Sequence, residues 1–425
     1  MSILVMSDIC DYRNRVSYHY SLVKGFEVTK GFSKLTDSFY LTTGVSEKFE
    51  GVNLINIKKI NDNFLNKIKY ILIGREPVLK IAIEKIPSFK KLIFKKNRHQ
   101  LIGVKSDSCK WINSYDKEFI KKHIDLIYVQ TQGFKNLESK TIMKNDKELI
   151  KKLHISRMGI PNKMPLSMNN ENPYKIDHSY CVDNFRSMAD GKALLPLTLM
   201  SHNKNFIKNN IIENFNKKKT IIIYIGRIRT DGGKVLFLMK EIMQRLGDEY
   251  ELHIFPGRFT LPNCKVSVFS PKWGINLQLL RDSMFYDCNN IIIHYPYDHK
   301  DSAKYLQYAD IGLDFSPIRP KNEKTVVGNT KLMEYCYFGL KVIGESNVIN
   351  SDLVINGKNG ILLDGIATAD EYVEGIRLLN KMPYKKEYTI KKTIDTNNWD
   401  LIASEILNDF KKVELRDNID LISNR

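Results

Sequence analysis

The chain has 425 residues, with 66 Lys and Arg against 48 Asp and Glu and a formal net charge of +18; the length exceeds one ordinary core and predicts two domains of about 200 residues each. Its six cysteines (Cys10, Cys109, Cys181, Cys264, Cys288, Cys336) form no CxxC pair and no Cys/His cluster at zinc-ligand spacing, which argues against a disulfide framework or structural metal and for a reducing, cytoplasmic setting. The start, MSILVMSDICDYR, has no basic n-region before a long apolar run, and no stretch approaches the roughly 18–20 apolar residues of a membrane span, so neither secretion by that route nor membrane integration is expected.

In chain order, the first half predicts strands at 3–6 (ILVM), 38–43 (SFYLTT), 52–57 (VNLINI), 100–105 (QLIGVK) and 126–131 (LIYVQT). Helical periodicity lies between them at 15–30, 76–95 and 134–152. A region of about 159–218 holds four prolines and many Asn, Ser and Lys residues, so the domain boundary is expected there. Alternation then resumes. Strands TIIIYI, ELHIF, NIIIHYP, IGLDFS, KVIGE and GILLD are separated by helical patterns near 234–246, 275–286, 302–309, 330–338 and 369–381. Continuous rather than alternating apolar strands mean sheets buried on both faces, hence parallel strands with helices on either side. The expected fold class is α/β, two Rossmann-like domains divided at about residue 205.

Charge is unevenly spread. Residues 1–205 hold 35 basic and 20 acidic residues, whereas 206–425 hold 31 and 28. Within 51–100, twelve basic residues face three acidic ones, and Leu79, Ile83, Ile86, Phe89, Leu92, Ile93 and Phe94 recur among them. That spacing gives a helix with one apolar and one cationic face, suited either to an anionic membrane surface or to plain solvation. Nucleic-acid binding would also use the charge. However, no aromatic stacking platforms are interleaved with the basic run and no recognition motif is present, so nucleic acid is not expected as a partner.

In parallel α/β sheets, ligands bind at the carboxyl ends of the strands, where helices aim their amino termini. The segment GNTKLMEYCYFGLKVIG begins a helix near Thr330 whose first N–H groups and dipole suit a diphosphate. Lys331 adds a cation there, and Glu334, one turn along, is placed to accept from vicinal ribose hydroxyls; an ordinary i, i+3 ion pair is the alternative for these two residues. A second stretch, TIIIYIGRIRTDGGKVLFLMKEIMQRL, reads as a buried strand, a turn at Gly226 with Arg227, a glycine-bearing loop and a helix from Lys234. Gly226 permits close backbone approach, and Arg227 with Lys234 brings two cations to the same end of the sheet.

On YIGRIRTDGGK, YLQYADIGLDFSP, NTKLMEYCYFGLKVIG, VINGKNGILLD and the terminal NNWDLIASEILNDF, the chain resembles the GT-B glycosyltransferases, in particular the family-4-like group that uses nucleotide sugars. The matching motifs span about 220–410. In the first domain only HIDLIYVQTQGFKNL, ISRMGIP and IGVKSDS are similar, loosely. The resemblance implies an acceptor-binding domain over 1–205, a nucleotide-sugar-binding domain over 206–395, a deep cleft between them, and a helix at 396–425 crossing back to the first domain. It implies that Arg227 and Lys234 stabilise the leaving diphosphate and that Glu334 holds the donor ribose. Asn329, Thr330 and Lys331 would supply the pyrophosphate-binding helix start beside Gly226, and Tyr295 and Tyr297 would lie against the nucleobase or serve in packing.

One position departs from the family pattern. Many retaining members carry a second glutamate eight residues before the first-turn one; here that position is Val326, and Glu323 is out of register. A retaining enzyme of this kind needs no strong protein base, whereas an inverting one needs a carboxylate or His near the acceptor. Asp107 is a base, an acceptor ligand or a helix cap. Arg13 and Arg15 either meet an acidic acceptor or lie in a solvated loop. No Asp-x-Asp pair is present, so no metal or other cofactor is expected. The expected activity is transfer of a sugar from a nucleoside diphosphate donor to a saccharide or lipid-linked acceptor in polysaccharide synthesis, at an anionic membrane face; a same-fold nucleotide-sugar epimerase is the alternative.

Overall fold

The computed structural model describes residues 2–7, 20–74, 76–95, 98–105, 117–129, 135, 146–156, 159–160, 219–229, 234–260, 285, 287–293, 306, 309–315, 330–346, 348–364 and 367–423. Of these, the residues up to 160 and from 394 onward form one unit, and those from 219 to 393 form the other.

The first unit is built on β1 (Ser2–Met6), β2 (Asp37–Thr42), β3 (Lys48–Phe49), β4 (Val52–Asn56), β5 (Tyr70–Ile73), β6 (Leu101–Lys105), β7 (Leu126–Val129) and β8 (Leu153–Ile155). They form one sheet in the order β3-β4-β2-β1-β5-β6-β7-β8, parallel except for the β3–β4 pair. Every residue of β1, β5 and β7 is buried, as continuous apolar strands require. Helices follow strands: α1 (Tyr20–Ser33), α2 (Asp62–Leu65), α3 (Glu76–Lys85), α4 (Pro87–Ile93), α5 (Lys117–His123) and α6 (Lys147–Lys151). The expected single helix over 76–95 is two. Pro87 has no N–H to continue the ladder and sits at the start of α4, after Ile86 in extended conformation.

Alternate residues of β1 serve two cores. Leu4 and Met6 face Val78, Leu79, Phe89, Leu92 and Ile93 of α3 and α4. The apolar side of the amphipathic 76–95 segment is therefore used inside the fold, leaving Lys80, Lys85, Lys90, Lys91, Lys95 and Phe94 exposed. Ile3 and Val5 face Phe26 and Phe32 of α1, together with Trp399, Ile402, Ile406 and Phe410.

The second unit carries β9 (Thr220–Arg229), β10 (Tyr250–Thr260), β11 (Ile291–Ile293), β12 (Ile311–Leu313), β13 (Lys341–Glu345) and β14 (Gly360–Leu363), all parallel, in the order β11-β10-β9-β12-β13-β14. Its helices are α7 (Lys234–Leu246), α8 (Thr330–Tyr337), α9 (Val348–Leu353) and α10 (Ala369–Lys381). The start of α10 is written in the sequence as TADE. Thr368 accepts from the Glu371 N–H while Glu371 accepts from the Thr368 N–H, a reciprocal cap for two otherwise orphaned donors. At the other end of α8, Gly339 takes φ +70°, which a side chain would resist, and turns the chain straight into β13.

Two further helices close the chain, α11 (Lys386–Asn397) and α12 (Trp399–Ser423). Ile160, near the end of the first stretch of this unit, is bonded to the segment that returns to it. Ile160 N–H donates to Asn397 C=O (2.8 Å), and Trp399 N–H donates to Ile160 C=O (3.0 Å). From there α12 lies along α1, Phe410 stacking on Tyr70 at 4.8 Å and Glu414 accepting from the Tyr70 hydroxyl at 2.8 Å. No helix among the described residues is long and apolar enough to cross a membrane.

Candidate active site at the switch point of the second sheet

Winding of the second sheet reverses between β9 and β12. The chain runs outward from β9 through β10 to β11, then returns to the other side of β9 as β12. At such a switch point the carboxyl ends of neighbouring strands part, and the opening is where this architecture takes ligands. The pairing of β9 with β12 ends at Ile223 and Gly312. Gly226 and Arg227 lie further along β9, Lys234 is the first residue of α7, and Thr330 the first of α8. Asp107, Asn329, Tyr295, Tyr297, Arg13 and Arg15 lie outside the described residues.

Helix α8 is held to this opening by side chains on one face. Lys331 and Tyr335 are four residues apart and so stack one above the other along the helix. The Tyr335 hydroxyl accepts from Ile225 N–H (3.0 Å) and donates to Leu313 C=O (3.2 Å), spanning β9 and β12 just past their last paired residues. Its ring fits because residue 312 is glycine; a Cβ there would overlap the ring. The Lys331 ammonium lies 2.9 Å from Asp314 Oδ1, donates to the Tyr224 hydroxyl at 3.3 Å, and sits 4.3 Å from the centre of the Tyr224 ring. Burial opposes the lysine charge, but Asp314 and Tyr224 outweigh it and hold the ammonium above its ordinary range. Asp314 is 1% exposed and Lys331 17%. Glu334 lies half-buried on the same helix, one turn from its start.

The sequence pointed to Gly226, Arg227, Lys234, Lys331 and Glu334 but not to Asp314, Tyr224 or Tyr335. All three sit inside apolar runs, where they read as core. The available signal was an Asp immediately after a short buried strand, since a carboxylate in that setting needs a cation. Among the described residues, no three His, Cys, Asp or Glu side chains gather as a metal site would require.

No family model matches the sequence, and no curated protein does. Solved structures do. A glycosyltransferase from Rickettsia africae is 12% identical, covering 97% of this chain and 98% of that one, with a TM-score of 0.61. HepE from Anabaena, in complex with UDP and glucose, is 8% identical over 97% of this chain and 100% of that one, with a TM-score of 0.59. Sucrose-phosphate synthase from Thermosynechococcus elongatus is 11% identical over 98% and 100%, with a TM-score of 0.57.

The fold is GT-B. The likeness runs through both units, although the motifs that first suggested it lie almost entirely in the second. In GT-B terms, β9, α7, β12 and α8 are the elements around the switch point of the carboxyl-terminal unit, and the Lys331–Asp314–Tyr224 cluster lies among them.

Proposed function

We propose that this GT-B protein is a metal-independent glycosyltransferase of hexosyltransferase type. It moves a sugar from a nucleoside diphosphate donor to a saccharide or lipid-linked acceptor in the building of a cell-surface polysaccharide or glycan. One observation supports this most: at the opening between β9 and β12, the strand bearing Gly226 and Arg227 meets the helix start bearing Lys331 and Glu334. HepE, similar in fold, has been crystallised with UDP, with UDP and glucose and with UDP-glucose, which fits a nucleotide-sugar donor here.

In this reading the first turn of α8, from Asn329 through Thr330 to Lys331, offers backbone N–H groups and the positive end of the helix dipole to the diphosphate. Gly226 lets the donor approach the backbone closely. Negative charge grows on the departing phosphate as the glycosidic bond breaks, so Arg227 and Lys234 favour the transition state over the ground state. Glu334 accepts from the donor ribose hydroxyls, and Tyr295 and Tyr297 flank the base. Although Val326 replaces the glutamate that many retaining members carry, we assign transfer with retention, which needs no strong protein base: the acceptor hydroxyl enters on the face the phosphate leaves, handing its proton to that phosphate. Asp107, Arg13 and Arg15 act toward the acceptor. The basic first unit works on the cytoplasmic face of an anionic membrane.

The test is a panel of UDP, GDP, ADP and CMP sugars scored by thermal stabilisation, followed by transfer assays with the stabilising donor. Glu334→Ala is expected to keep the fold and weaken donor binding roughly 10–100-fold, the loss of charge-assisted hydrogen bonds. Arg227→Ala is expected to lower kcat about 10²–10³-fold. Full transfer by either variant would remove that residue from the site, and a chelator that abolished transfer would overturn metal independence.

A further inference from the structure

We propose that the outer side of α3, α4 and α5 in the first unit is a docking face for an anionic lipid surface, with the Phe94 ring entering the boundary between headgroups and acyl chains. The inference rests on the membrane part of the reading above and names the side chains that make the contact.

These helices cover one face of the first sheet, where Val78, Leu79, Phe89, Leu92, Ile93 and Ile120 take up their apolar sides. What they turn to solvent is lysine: Lys80 and Lys85 on α3, Lys90 and Lys91 on α4, Lys95 just beyond it, and Lys122 on α5, all exposed. Opposing charge is largely engaged elsewhere. Asp62 pairs with Lys91 at 2.6 Å and Glu118 with Lys121 at 3.1 Å. Among the described residues Lys80, Lys85, Lys90, Lys95 and Lys122 form no ion pair, with Glu84 exposed beside them.

Phe94 stands in the middle of this charge. Phe89, Leu92 and Ile93 fix the buried side of α4, and the helical period puts Phe94 on the other side, with Lys90 to one flank and Lys91 to the other. The ring is 53% exposed but has a firm base. It packs edge-on against Phe119 and His123 of α5, with ring centres 6.1 and 5.2 Å away. His123 is itself anchored, its Nδ1–H donating to Ile93 C=O at 2.7 Å. A supported ring of this kind gains by entering an apolar layer and gives up little rotamer freedom in doing so.

Charge type selects the partner. Ammonium groups on flexible stems match a surface whose charge has no fixed stereochemistry, whereas bidentate phosphate and base recognition favours the arginine fork. Arg98 is turned inward, 9% exposed, onto Asp125 and the His123 C=O. Each lysine brought to an anionic leaflet favours partition about fivefold, and burying the open half of Phe94 adds about as much.

Cosedimentation of the full chain at low salt with phosphatidylcholine vesicles, about one-third of the lipid being phosphatidylserine, tests this. Replacing Lys90, Lys95 and Lys122 together by Gln is expected to lower partition roughly 100-fold. Replacing Lys34, Lys411 and Lys412 by Gln removes the same charge from the opposite face of the sheet, where α1 and α12 lie, and is expected to change partition by no more than about threefold. Phe94→Ala is expected to weaken it about fivefold, and Phe94→Trp to show quenching by brominated lipid beyond that of wild type. The proposal is overturned if the two triple variants lose binding equally, which makes net charge rather than this face the cause. It is also overturned if Phe94→Trp is quenched no more than wild type, or if the protein prefers duplex DNA to vesicles of equal charge. Nucleotide affinity measured without lipid is expected to be the same in all of these proteins. Should wild type bind nucleotide but not vesicles, this face fails alone; should vesicle binding follow the expected pattern while no nucleotide binds, the donor-site reading fails and the face stands.

Discussion

Gly312 and His253 show how single residues set conditions for this sheet. Because a side chain at 312 would overlap the Tyr335 ring near its attachment to the helix, the ring cannot swing clear without moving α8. Gly312→Ala is expected to cost about 1–3 kcal/mol in urea denaturation, the usual penalty for overpacking, and to weaken nucleotide binding with it. His253 on β10 is fully buried, and burial pulls its pKa down to about 3. In the unfolded chain it titrates near 6.5. Between those values the unfolded state binds a proton that the native state refuses, so stability is complete above about pH 6.5 and is lost as pH falls toward 3. The slope is at most about 1.4 kcal/mol per pH unit. Tm measured from pH 7 to pH 4 is expected to fall less steeply in His253→Leu than in wild type; equal slopes would clear this histidine of any part in acid sensitivity.

Among the elements, α12 carries the most weight for the first unit. Phe410 is fully buried and stacked on Tyr70, a residue of the central strand β5. Phe410→Ala is expected to cost about 3–5 kcal/mol, read as a lowered urea midpoint with unchanged secondary structure below the transition. This helix was expected only through the resemblance carried by NNWDLIASEILNDF, not from an apolar period of its own. Strand β5 was not: YILI is only four apolar residues set between lysine-rich segments, too short to separate from a helix turn by period. Nor was the break in the 76–95 helix read from Pro87, since apolar spacing continues through it. The site divides in the same way. Glycines and cations at a strand end or helix start announce themselves locally, which exposed Gly226, Arg227, Lys234 and Lys331. The ties of Lys331 to Tyr224 and Asp314 join three separate segments of chain, and no local pattern encodes them.

At the scale of the whole molecule, charge is the feature that composition stated and folding refined. The excess of cations belongs to residues 1–205, but the apolar face of the 76–95 segment is consumed by the core, so what reaches solvent there is lysine with Phe94. Attachment to a membrane would then be electrostatic. Flotation is expected to recover the protein with anionic vesicles at low salt, to recover little of it at physiological salt or above, where screening shortens its reach, and none with neutral vesicles; indifference to lipid charge would remove the membrane from the acceptor proposal. The return of α12 to the first unit bears on synthesis. Phe26 and Phe32 are translated early, yet the side chains that cover them, Trp399 to Phe410, are made only after the entire second unit. Throughout that interval this face of the first sheet has α1 on it but lacks α12, leaving apolar surface open to misassociation. Of the two units, the one made earlier is the one completed later, and a stop codon anywhere between it and Trp399 would release it without its covering helix.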